Sequence, residues 1–198
     1  MKPVATMPAP VVNGIRGVFC DIDDTLTSEG KLTARAYAAL ERLRSGGKLV
    51  IPITGRPAGW CDHIARTWPV DAVVGENGAF YFYYDETEKK LVQRFLFDAA
   101  ARAANREKMI ALRERILREV PGCALASDQL YREADLAIDF CEDVPRLPFV
   151  EVDRIVALMR AAGMMAKISS IHVNGWFGDY DKLGMTRILM RERYGVDL

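Results

Sequence analysis

Three short apolar runs, GVFC (17–20), KLVIPIT (48–54) and DAVVG (71–75), are separated by two stretches of helical period. No other feature restricts the fold as much. In the first stretch Thr33 suits an N-cap, Ala36, Leu40 and Leu43 share a face, and Gly46-Gly47 stop the helix. In the second, Pro57 suits the first helical turn. Trp60, Ile64 and Trp68 recur there every fourth residue, which reads as core packing. Strand–helix–strand–helix–strand alternation implies an α/β core, a parallel sheet with helices on both faces. Such sheets bind ligands at the carboxyl ends of their strands. Pro52 is awkward inside the second run, because proline removes a ladder donor.

The rhythm then changes. AFYFYY (79–84) and LVQRFLF (91–97) flank the polar DETEKK and predict a hairpin. A helix is expected over 103–120, with Met109, Leu112, Ile116 and Val120 on one face, ended by Pro121-Gly122. Strands near 123–127 and 135–140, a helix near 150–162, and strands at 164–169 and 171–176 follow. This α-β-β-α-β-β order reads as a second, α+β module inserted over 98–175. The parallel core then comprises 1–97 and 176–198, closing with a helix over 181–194.

The 198 residues carry 27 basic and 27 acidic side chains, so nothing in the charge favours nucleic acid or an anionic membrane as partner. No apolar run approaches the ~20 residues of a membrane span. MKPVATMPAPVV lacks the apolar core of a secretory leader and reads as a loose tail with three prolines; the expected location is cytoplasmic. Four cysteines form no CxxC pair, and two histidines are too few for a multi-His metal site. Chemistry must come from carboxylates, hydroxyls, lysine or arginine.

The segment FCDIDDTLT (19–27) supplies the carboxylates. Asp21 and Asp23, two apart just past a strand's carboxyl end, share a face, whereas Asp24 points away. Two carboxylates ~4 Å apart repel by ~4 kcal/mol at an effective dielectric of 20. Nothing basic follows immediately, so a bound cation, a raised pKa or both are expected, and hard oxygen donors suit Mg2+. ITGRP (53–57) sets the Thr54 hydroxyl and adjacent backbone N–H groups at a helix start, an anion cradle. Lys182, near the start of the last helix, can neutralise a phosphoryl oxygen, with Asp181 as that helix's N-cap. Polar residues such as Arg132, Glu133 and Asp135, in the inserted module, read as solvated loop residues.

DIDDT resembles the DxDxT signature of the haloacid dehalogenase-like phosphatase superfamily. ITGRP resembles its second motif and DYDKLGM its third, and GENGAFYFY (75–83) is similar to a stretch of the branch (subfamily IIB) holding sugar-phosphate phosphatases, trehalose-phosphate phosphatase and phosphomannomutase. The resemblance implies a Rossmann-like core with an inserted αββαββ cap. It implies a Mg2+-dependent phosphatase acting on a small phosphorylated metabolite through an aspartyl-phosphate. Asp21 would be the nucleophile and Asp23 the general acid/base. Thr54, Gly55 and Lys182 would bind the phosphoryl group, and Asp21 with the Asp23 carbonyl would hold the metal. Thr25 would fix the loop, with Arg56 and Asn77 in supporting positions.

The family's fourth, acidic motif is expected after the Lys182 helix, where the chain ends at Leu198; GDYD (178–181) matches the approach to the lysine motif instead, so Asp179 does not replace it. The expectation is a core incomplete at its C-terminal side. A phosphomannomutase-like phosphotransferase and a non-catalytic binding module stay open as alternatives.

Overall fold

The computed structural model describes residues 6–198. The expected proline-bearing tail lies partly outside them; the described part contains a short helix, α1 (Ala9–Gly14), with Pro8 as its N-cap. The chain continues as β1 (Gly17–Cys20), a small turn hairpin of β2 (Thr27–Ser28) and β3 (Lys31–Leu32), α2 (Ala34–Ser45), β4 (Leu49–Pro52), α3 (Ala58–Thr67) and β5 (Val73–Gly75). β1 and β4 pair in parallel, Gly17 opposite Leu49 through Cys20 opposite Pro52. A parallel bridge from Ile53 to Val74 carries the sheet on to β5. β6 (Phe80–Asp85) and β7 (Lys90–Phe95) extend it as the expected antiparallel hairpin.

Pro52 does lie within β4. Ile53 N–H donates toward β1, to Cys20 O, whereas Thr54 N–H donates toward β5, to Val74 O. The alternation turns Pro52's missing donor toward β5, where pairing amounts to the single bridge, so no β1–β4 ladder bond is lost.

Side-chain alternation divides the core. Val50, Val73, Phe80 and Phe82 pack with Leu40 of α2 and with Cys61, Ile64 and Ala65 of α3. Ile51, Val74 and Tyr81, one residue out of step, pack with Met185, Leu189 and Met190 of α6 (Lys182–Tyr194). The core is therefore α/β and Rossmann-like, with helices on both faces. Thr33 caps α2 by accepting from Ala36 N–H, and Gly47 leaves it at φ +73°. Trp60 corrects the expected α3 stripe. It is 45% exposed, because the buried face centres on Cys61 and Ile64 and passes Trp60 by.

Between β7 and α6 run α4 (Ala99–Glu119), β8 (Ala124–Leu125), β9 (Asp135–Asp139), α5 (Phe149–Ala161), β10 (Met165–Ile168) and β11 (His172–Trp176). The strands form an antiparallel sheet in the order β10-β11-β9-β8. Met109, Leu112 and Ile116 of α4 and Val152, Ile155 and Met159 of α5 bury one face of it together with Ile138 and Val173. Gly175 makes room for α5 there: a Cβ would stand 2.6 Å from Met159 Sδ, so Met159 would have to shift. The alternate residues of β11, His172 and Asn174, point instead into a cleft.

Candidate active site

Asp21 is the first residue beyond β1. Buried Ile22 pegs the loop, its carbonyl accepting from the N–H groups of Thr25, Leu26 and Thr27 and from Thr27 Oγ1. Asp24 takes a left-handed φ of 55° and its N–H donates to Thr27 Oγ1. Thr27, rather than the exposed Thr25, thus supplies the hydroxyl that shapes the loop.

Lys182 opens α6, capped by Asp181, whose Oδ1 accepts from Gly184 N–H at 2.7 Å. Its ammonium meets Asp21 Oδ2 at 2.6 Å across 161 residues of sequence. Asp21 Oδ1 accepts from Ile22 N–H. Both Asp23 oxygens accept from Arg56, through Nε and Nη2, at 2.7–3.1 Å. Nothing basic follows the two carboxylates immediately in sequence, yet they are not left unrelieved. Relief comes from Arg56 and Lys182, distant in sequence, so charge alone does not demand a metal.

Thr54 is fully buried, and its Oγ1 accepts from Arg56 N–H at 3.0 Å. It shapes the ITGRP turn from beneath and does not line the cleft. Its carbonyl accepts from Asn77 N–H. Asn77 stands at φ 56°, and a Cβ on Gly55 would come within 3.2 Å of its amide. Gly78, at φ +109°, lets the start of α6 approach so closely that a Cβ would fall 2.1 Å from Asp181 O. These turns leave a cleft of about 260 Å³, lined on one side by Asp21, Asp23, Gly55, Arg56, Asn77 and Lys182, and also by Asp24, which the left-handed turn brings to the rim it was expected to face away from. Ser169, Ser170, His172, Asn174 and Arg132, from the stretch between β7 and α6, form the opposite wall. Glu142 Oε2 lies 2.9 Å from His172 Nε2, but out of line for a hydrogen bond.

Arg132 and Asp135 are not solvated; both are buried. Arg132 forks onto Asp128 at 2.9 Å and reaches Asp135 at 2.9 Å and Gly55 O at 3.2 Å. Burial alone would lower its pKa, but Asp135 and Asp128 raise it. Asn174 donates to Asp135 Oδ2. Beneath this cluster lies Glu76, wholly buried, accepting from the N–H groups of Ala58, Glu133, Ala134 and Asp135. Burial, then the Asp135 charge, push Glu76 up to about 8, against the pull of those N–H groups and Arg132. Only Glu133, half-buried and paired with Arg106 at 2.8 Å, approaches the solvated role expected of all three. Sequence spacing carries no signal for the bonds that tie this cluster to Glu76 and Gly55, whose partners Glu133 and Arg132 lie 57 and 77 residues away.

Among the described residues, no group of three or more His, Cys, Asp or Glu side chains is arranged to hold a metal. The Asp21 and Asp23 oxygens nonetheless suit magnesium in kind, because that ion often uses one or two carboxylates and completes its shell with phosphate and water. All four cysteines are free thiols. No helix of the described residues is long and apolar enough to cross a membrane.

Residues 18–106 match the sequence model of the haloacid dehalogenase-like hydrolases. No curated protein matches it in sequence. Several solved structures match in fold. A protein from Thermoplasma acidophilum superposes with a TM-score of 0.70 at 17% identity, over 92% of this chain and 73% of its own. The C-terminal domain of Candida albicans trehalose-6-phosphate phosphatase gives 0.68 at 16% identity, over 90% of this chain and 63% of its own. The sucrose-phosphatase of Synechocystis, solved with sucrose and phosphate, gives 0.59 at 16%, over 88% and 68%. At these identities the likeness is one of fold, and the chain spans roughly two thirds of the proteins it resembles.

Proposed function

We propose that the protein is a phosphomonoester hydrolase acting through an aspartyl-phosphate on a small phosphorylated metabolite, a sugar phosphate in the first instance, in the cytoplasm. The observation that carries this reading is the convergence of Asp21, Asp23, Arg56 and Lys182 at the mouth of one cleft beside the Gly55 turn. An Asp21 carboxylate oxygen attacks phosphorus and the bond to the substrate oxygen breaks. Asp23 gives that oxygen its proton, later takes one from the water that attacks the aspartyl-phosphate, and orthophosphate leaves. Lys182 and the N–H groups of the Gly55 turn hold the phosphoryl oxygens, with Thr54 and Asn77 setting the turn. Magnesium, held by the Asp21 carboxylate and the Asp23 carbonyl, would supply further charge neutralisation when bound. Segment 98–175 acts as a cap on the core of 1–97 and 176–198, excluding water and bulky substrates.

Arg56 adds a requirement. In this geometry neither Asp23 oxygen is free to carry a proton to a leaving group, so the pair must open when substrate arrives. The same closed pairs favour a second reading, a binding module that keeps the fold without turnover. A phosphotransferase with a sugar hydroxyl as acceptor would use the same residues. Hydrolysis of an aryl phosphate, with and without chelator, decides between catalysis and binding. Magnesium-dependent phosphate release is expected, abolished in Asp21→Asn and reduced by about 10²–10⁴-fold in Asp23→Asn. Absence of release from a folded protein at high magnesium favours the binding module. Normal release from Asp21→Asn excludes the mechanism.

A further inference from the structure

Asp23 and Arg56 also line a second cavity, of about 470 Å³, larger than the cleft. Its remaining walls come from the β2–β3 turn, from α3 and the residues after it, and from Tyr131 of the inserted segment. Four ring side chains face it: Trp60, His63, Trp68 and Tyr131. Trp60 and Tyr131 are 45% and 57% exposed, so two large aromatic surfaces stand in water at a concave site rather than in the core. Tyr131 packs closely on α3: a Cβ on Gly59 would stand 3.0 Å from Tyr131 Cβ, so a larger residue there would push the ring by a few tenths of an ångström. Arg56 already uses this chemistry, its guanidinium lying 4.5 Å over the Trp60 ring. Asp23 and Arg56 pair with one another, so the cavity offers no uncompensated carboxylate, lysine or arginine to a charged ligand.

We propose that this cavity binds an uncharged planar ring, stacked among Trp60, Trp68 and Tyr131, next to the Asp23–Arg56 pair. Aromatic faces favour offset or edge-on stacking of a flat partner over a saturated one of equal size, because the ring quadrupole rewards that geometry. Junctions between modules are common places for such pockets. The ring comes either from a free ligand or from an aryl group on the phosphorylated substrate, which would then replace a sugar phosphate as first candidate, and both present the same face to the tryptophans.

The probe is indole, titrated into the full chain while the indole N–H signals of Trp60, Trp68 and Trp176 are followed by NMR. Saturable shifts of the Trp60 and Trp68 signals are expected, with the buried Trp176 unmoved. Cyclohexanol should leave all three in place. Trp60→Ala and Tyr131→Ala should each weaken indole binding at least about tenfold, the loss of one stacking wall. The Trp68 and Trp176 signals report that each variant is folded. No saturable shift, equal shifts with cyclohexanol, or undiminished binding in Trp60→Ala overturns the proposal. Displacement of indole by phenyl phosphate but not by orthophosphate assigns the ring site to the substrate. Simultaneous binding of indole and phenyl phosphate assigns it to a separate ligand, and either result keeps the site. No turnover enters the readout, so failure here leaves the hydrolase reading intact.

Discussion

Asp21 and Asp23 each accept from a cation that sequence spacing does not bring near them: Lys182 lies 161 residues from Asp21 and Arg56 lies 33 from Asp23. Local spacing placed the carboxylates on one rim, because strand geometry acts over two or three residues; it carried no information on what neutralises them. The same limit explains Thr25 and Thr27. Both follow the carboxylates, but the left-handed turn at Asp24 decides which hydroxyl reaches back to Ile22. Arg132 shows the energetic side of hidden pairing. Its side chain is 2% exposed and those of Asp128 and Asp135 are 9% and 0% exposed. Arg132→Met leaves two buried carboxylates unpaired and should cost about 3–5 kcal/mol, read from the urea midpoint. A cost below about 1 kcal/mol would mean that water already reaches this cluster.

The turn at 76–78 links three elements: the end of β5, the start of α3 through Glu76 and Ala58, and the start of α6 through Gly78 and Asp181. Gly78→Ala combines a disfavoured φ with a backbone clash. It should move Lys182 away from Asp21, lowering phosphate release more than it lowers the thermal midpoint; Gly163→Ala, at φ +82° but in open space, is the control for conformation alone. Glu76 also makes this element pH-sensitive. Its folded pKa, about 8, lies above the ordinary value of 4.5, so the folded chain binds the extra proton between those limits. Its contribution to stability is therefore full below about pH 4.5 and is lost as pH rises through 8. Chemical denaturation across pH 5–9 should show that decline, and Glu76→Gln should flatten it. Elements themselves were largely legible. Their apolar periods, the Thr33 and Asp181 caps and the glycine stops are local, and the structure keeps them apart from Trp60 in α3. Trp60 was misread because a four-residue period identifies a stripe without fixing its width.

At the scale of the molecule, the alternation of runs and helices specified the α/β core. Between β7 and α6 an antiparallel sheet packs one face on α4 and α5 while His172 and Asn174 look into the cleft. What alternation could not convey was the buried Glu76–Arg132–Asp135 network joining that segment to the Gly55 turn. The hydrolase reading has a global signature too: magnesium with orthophosphate should raise the thermal midpoint, since a ligand bound only by the folded state stabilises it in proportion to ln(1 + [L]/Kd). Chelator should reverse the rise, and Asp21→Asn should lack it; an unchanged midpoint at saturating concentrations of both would count against the metal. The long span between Asp21 and Lys182 also imposes an order in time. A ribosome adding about 5–20 residues per second releases the aspartate on the order of ten seconds before its lysine. A growing chain holds the Asp21 carboxylate before its Lys182 partner exists, so the proposed chemistry waits until α6 is made.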